Sequence, residues 1–129
     1  MKETTTGGTW QIDREMGKIR DELGWARRQL RDPRLAQQVD VVRLVLPNLA
    51  KYGVGVTTCL VARENVVVDG PDENHTMMAV MAGVTFTHLA SGQKVEDAYN
   101  GCALDVGSYA THEAFLNAIE NAFREQFLQ

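Results

Sequence analysis

Residues 84 to 129 constrain this chain most, because they combine a β-hairpin with the amphipathic helix that follows it. Val84-Thr85-Phe86-Thr87-His88-Leu89 alternates β-branched or aromatic residues with polar ones, the pattern of a strand with one buried face. Ala90-Ser91-Gly92-Gln93 is the turn, with Gly92 able to take the positive φ that a tight hairpin needs. Lys94-Val95-Glu96-Asp97-Ala98-Tyr99 returns as the partner strand. Further on, Phe115, Ile119, Phe123 and Phe127 repeat every four residues beside Ala114, Ala118 and Ala122, which stacks an aromatic stripe next to a small-residue stripe on one helix. Ser108 or Thr111 is expected to cap its start.

The rest of the chain fits around this unit. Ile12, Met16, Ile19, Leu23 and Ala26 recur at helical steps, predicting a helix from Trp10 to about Leu30 that ends at Arg31-Asp32-Pro33-Arg34. A second helix is expected from about Leu35 to Tyr52, with Leu35, Val39, Val42, Leu46 and Leu49 as its apolar stripe. Pro47 should kink or split that helix, and Gly53 closes it. Val54 to Val61 turns to strand character, which Glu64 to Asp69 continues. Asp69 to Asn74 is a loop, and Thr76 to Leu89 reads as one strand bent at Gly83. The expected fold is α+β: an antiparallel meander of three to four strands packed against helices, in the order α-α-β-β-β-α. Residues 1–9 read as a disordered tail and 10–129 as a single core domain.

Charge is uneven. The whole chain carries −4, but the part up to Lys51 has ten basic and seven acidic residues, or +3, and the remainder has three and ten, or −7. A basic segment joined to an acidic body suits an anionic ligand or head-to-tail self-association. Arg27, Arg31 and Arg34 share a helical face with Arg28 beside them; guanidinium forks at that spacing match successive phosphates, although a solvated helix face has the same pattern.

Other chemistries have little footing. His75, His88 and His112 fall in a loop, a strand and a helix without paired ligand spacing, and Cys59 and Cys102 make no CxxC, so no metal or other cofactor is expected. Both cysteines sit in apolar surroundings and read as small core residues. A Cys–His dyad would need the fold to bring Cys59 or Cys102 to His88, and Gly101 to Asp105 is a candidate loop for it, although the same run reads equally as a link from strand to helix. Gly53-Val54-Gly55 lacks the Lys and Ser/Thr of a phosphate loop. There is no membrane-spanning run and no apolar leader at the start, so a cytoplasmic protein that is not an enzyme is expected.

Three stretches resemble the Erf-type single-strand annealing proteins of phages and prophages. Leu46-Pro47-Asn48-Leu49-Ala50-Lys51-Tyr52-Gly53-Val54 is similar to that family's helix ending in a Leu-x-Lys-x-Gly turn into a strand. Thr85 to Gln93 resembles its Thr-x-Thr-His…Ser-Gly-Glu hairpin, and Gly101 to Phe127 its Gly-Ser-Asp loop and alanine-rich final helix. The resemblance implies a homo-oligomer, as a ring or filament, that binds single-stranded DNA and presents bases for pairing without a nucleotide cofactor. Arg27, Arg28, Arg31, Arg34 and Lys94 would then contact phosphates, and Tyr99 and Tyr109 would stack on bases. This chain departs from the pattern between Asp105 and Glu120, which holds no lysine and only His112 as a cation. A second reading is a protein-binding or regulatory module with the same fold and no affinity for DNA.

Overall fold

The computed structural model describes residues 9–36, 39–69, 74–104 and 109–129. Helices precede an antiparallel three-stranded sheet, and a helix follows it: an α+β fold, as expected. The elements are α1 (Trp10–Glu22), α2 (Gly24–Gln29), α3 (Pro33–Ala36), α4 (Val41–Lys51), β1 (Val54–Asp69), β2 (Asn74–His88), β3 (Lys94–Leu104) and α5 (Ala110–Phe123). A π-helical turn, Arg124–Leu128, continues α5. The sheet order is β1-β2-β3, so β1 and β3 are its edges.

The contacts divide the chain into two compact units. Unit 1 comprises residues 1–57, 85–96 and 123–129, and unit 2 residues 58–84 and 97–122.

Unit 1 is built on large side chains. Ile12, Met16, Ile19, Leu23 and Ala26 are all buried, so the predicted stripe of the first helix is real, although Leu23 divides it into α1 and α2. Phe86 meets Phe127 edge-on at 5.5 Å and Phe123 at 6.0 Å, geometries that suit the ring quadrupoles. The hairpin turn reaches back to α1: the side-chain Oε1 of Gln93 accepts from the Gln11 N–H at 2.9 Å and the Ile12 N–H at 3.1 Å. These are first-turn amides with no partner inside the helix, so Gln93 caps α1 from 81 residues away. Gly92 holds φ +78, and the Ser91 hydroxyl accepts from the Gln93 N–H, as the turn chemistry requires.

Several expectations for unit 1 need correction. The first helical run does end at Gln29, before Arg31-Asp32-Pro33-Arg34 as expected, but Pro33 then opens the short α3, since proline's fixed φ and missing N–H suit a first helical position. The second helix begins at Val41, where the Asp40 side chain accepts from the Arg43 N–H. That start shifts the phase: Val41, Val45 and Leu49 are buried, while Leu35 and Leu46 are exposed. α4 also runs through Pro47 without splitting; Pro47 and Arg43 are on the solvent side, where water can satisfy the carbonyl that loses its partner. Gly53 closes α4 at φ +68, as anticipated.

Unit 2 is built on small residues. Its core gathers Met78, Val80, Ala103, Ala110 and Ala114, with Phe115 against them. At Gly101 helix and strand meet backbone to backbone: an added Cβ would strike Ala114 O and Ala118 N and lie 2.9 Å from Ala118 Cα. Asn117 Nδ2 donates to Cys102 O and Asn121 Nδ2 to Asn100 O, which ties α5 along β3. The buried stripe in unit 2 is therefore Ala110, Ala114, Ala118 and Ala122, and Phe115 and Ile119 lie at its margin rather than at its centre. Gly101 to Leu104 belongs to β3, not to a loop; Asp105 lies outside the described residues, as do the expected Ser108 cap and most of the expected 69–74 loop. Thr111 lies inside α5 and accepts from Arg63 at 3.5 Å instead of capping the helix.

Candidate anion-binding cleft

The two units divide the charge. Counted over their sequence ranges, unit 1 carries twelve basic and nine acidic residues, or +3, and unit 2 one basic and eight acidic, or −7. The candidate site lies within unit 1, where α2, the turn after it and the π-helical turn converge.

Arg27, Leu30, Arg31, Arg124, Leu128 and Gln129 line a cleft of about 390 Å³. Three of these residues are arginines, and none is Asp or Glu. The leucines supply apolar flanks that lower the local dielectric and strengthen attraction for an anion.

The arginines are not equivalent. Arg27 Nη1 donates to Arg20 O at 2.7 Å and to Phe127 O at 3.3 Å. Arg20 Nε donates to Gln126 O at 2.5 Å. A π-helix leaves terminal carbonyls without intrahelical donors, and these two side chains supply them. Arg27 is thus a positioning residue whose guanidinium is anchored beside the cleft. The Arg31 side chain makes no hydrogen bond or ion pair among the described residues, so its guanidinium donors remain available to a ligand.

The structure brings two of the sequence-predicted residues together here, Arg27 and Arg31. Arg28 is exposed outside the cleft, and Arg34 is exposed with Nε 3.6 Å from Asp32 Oδ1. Lys94 is exposed at the start of β3 in unit 1. Tyr99 is only 5% exposed within unit 2, so its ring offers no open stacking face; Tyr109, at 76%, does. Arg124 and Leu128 were not anticipated as site residues. Their signal was faint: Arg124 is the one lysine or arginine after Lys94, and an acidic average conceals it.

Cys59 and Cys102 are both exposed on strands, which corrects the reading of them as core residues: each lies on an edge strand whose outward side no element covers. His88 Nδ1 is 2.6 Å from Ser91 Oγ, an arrangement that serves the hairpin turn. No cluster of potential metal ligands occurs among the described residues. No helix among them is long and apolar enough to cross a membrane.

At the opposite edge of unit 1, Glu22 accepts from Lys51 Nζ and Tyr52 OH, both at 2.6 Å. The hydrogen bond from Lys51 is the main cause that holds the Glu22 carboxyl below its usual range, and the bond to Glu22 raises Lys51 and Tyr52. This knot joins the ends of α1 and α4 and leaves no charge free for a ligand.

No protein-family model, curated protein or solved structure matches this chain.

Proposed function

We propose that the protein binds single-stranded DNA and anneals it as a homo-oligomer in phage or prophage recombination, within the cytoplasm. The observation that carries this reading is the acid-free cleft where Arg31 stands open beside Arg27 and Arg124. Guanidinium groups at such spacing grip phosphate oxygens through paired donors, a sequence-independent contact that suits a protein acting on any strand. Charge segregation supports the same reading, since the +3 of unit 1 attracts a polyanion although the chain as a whole is acidic. Tyr109, exposed in unit 2, is the remaining candidate for base stacking, and Arg34 and Lys94 would supply peripheral phosphate contacts.

Fluorescence anisotropy with a labelled oligonucleotide over a salt series tests this. Affinity should fall steeply with salt, with a slope of roughly −0.7 per phosphate neutralised. Arg31→Glu should weaken binding about tenfold or more and flatten that slope, because one open guanidinium contact is lost. Arg27→Lys is the wrong probe, since Arg27 also holds the Phe127 carbonyl. Salt-independent binding, or an Arg31→Glu variant with unchanged affinity, overturns the reading.

A second reading, a protein-binding module, has its own observation. Residues 57–67 of β1 are exposed throughout, including Leu60, Val61, Val66 and Val67. If no oligonucleotide binds at low salt, the function lies on that surface.

A further inference from the structure

The sheet of unit 2 has one covered face and one bare one. Met78, Val80 and Ala82 of β2 point to the α5 side and are buried. Strand alternation puts Met77, Ala79, Met81 and Gly83 on the other face. β1 joins that face at Cys59 and Val61, because a Cβ on Gly83 would lie 2.9 Å from Cys59 Sγ and 3.3 Å from Val61 Cγ2. On β3, Cys102 and Leu104 flank buried Ala103 and lie on the same bare side. Val61 is 56% exposed, Met81 37% and Leu104 74%. A solvent-facing sheet surface ordinarily alternates to polar residues; this one exposes Val61, Met81 and Leu104 beside Asn65 and Asn100, and ends at an open strand edge.

We infer that this bare face and the β1 edge dock on a second copy of the chain, and that the contact is head-to-tail: unit 2 of one copy against the Trp25–Arg28 surface of unit 1 of the next. This rests on the homo-oligomer half of the function proposed above, not on its DNA half. Charge selects the partner surface. Two unit 2 faces pressed together would join two bodies of −7 each, whereas unit 1 offers +3. A two-fold ladder between two β1 edges would likewise bring two −7 bodies together. On unit 1, α2 exposes Trp25 (49%) and, one turn on, Arg28, whose side chain has no hydrogen bond or ion pair among the described residues. An aromatic ring beside an unpaired guanidinium is the composition of an interface anchor, matched to an apolar face in an acidic surround.

Light scattering at low salt without nucleic acid tests this on the full chain. Wild type should be multimeric; Val61→Glu/Met81→Glu and Trp25→Glu/Arg28→Glu should each be monomeric, because each loses one of two unlike surfaces. Mixed in equal amounts, the two variants should form dimers and nothing larger, since one intact pair of surfaces remains. The substituted residues are exposed, and circular dichroism confirms that each variant folds. As an independent check, a photo-crosslinking residue at position 61 of otherwise wild-type protein should label the α2 peptide of another copy. A wild-type monomer, variants that keep the wild-type mass, a mixture that stays monomeric, or crosslinks confined to other surfaces overturn the inference. Arg31→Glu should keep the wild-type mass. If wild type assembles this way but ignores oligonucleotides, the DNA reading falls and the interface stands.

Discussion

Unit 1 closes around rings and long aliphatic chains, whereas unit 2 closes around alanines and a glycine. The two solutions bury apolar surface by different means. In unit 1, Phe86, Phe123 and Phe127 fill space, so helices can stand off at ordinary distances. In unit 2, Gly101 and the alanine stripe let α5 lie on β3 backbone to backbone, and the side-chain amides of Asn117 and Asn121 reach strand carbonyls directly. A helix seated that closely covers a narrow strip of sheet, which is why β1 keeps both sides exposed from residue 57 to 67. The narrow cover leaves a surface for assembly, while the wide core of unit 1 supports a cleft.

If the contrast is real, each unit should fail by its own mechanism. The largest effect is expected for Phe86→Ala, which removes the ring that both Phe123 and Phe127 pack on. It should cost about 3–5 kcal/mol in denaturant unfolding. Hydrogen exchange should show protection lost first in α1 and the π-helical turn. Gly101→Ala comes next, at about 3 kcal/mol, through overpacking against the α5 backbone. There protection should fall first over residues 110–122; equal loss in both units for either variant would break the comparison.

Gln93→Ala should destabilise by ~1 kcal/mol, the usual worth of a helix cap, with exchange at the Gln11 and Ile12 amides rising most. Gln93→Glu keeps an acceptor at that place and should lose less. The smallest effect concerns Glu22. A carboxyl held below its ordinary range contributes stability above that range and loses it as pH falls through the folded value. The difference in melting temperature between wild type and Glu22→Gln should therefore be flat near neutrality and shrink in the acid range. At the alkaline end Lys51 and Tyr52, both raised, should lose their contribution as pH rises through their folded values. Because the pair is largely exposed, added salt should reduce the whole effect.

Local patterns were legible in the sequence where chemistry is local. The Ser91-Gly92-Gln93 turn, the Gly53 closure and the α1 stripe all depend on residues a few positions apart, and all appear as expected. Burial decided by a distant element was not legible. Cys59, Cys102, Leu60 and Val61 look like core residues until the width of α5 is known, and Tyr99 looks available until α5 is placed over β3. α4 went wrong by one cap: Asp40 rather than Leu35 sets its start, and the apolar face rotates with it. Two of the six residues that line the candidate cleft were readable, because Arg27 and Arg31 are close in sequence. Arg124 was not, since only the folded π-helical turn brings it to them.

The cap on α1 bears on how the chain comes off the ribosome. Helix α1 is made early, yet its free amides wait for Gln93, and Arg20 and Arg27 wait for the carbonyls of Gln126 and Phe127, about a hundred residues downstream. Sequence separations of that size slow closure, because the intervening chain must be ordered before the contact forms. Helix α1 is therefore made before the residues that complete it. Until residues 123–128 have emerged, the apolar stripe of α1 has no aromatic partner and is open to chaperones or to neighbouring nascent chains.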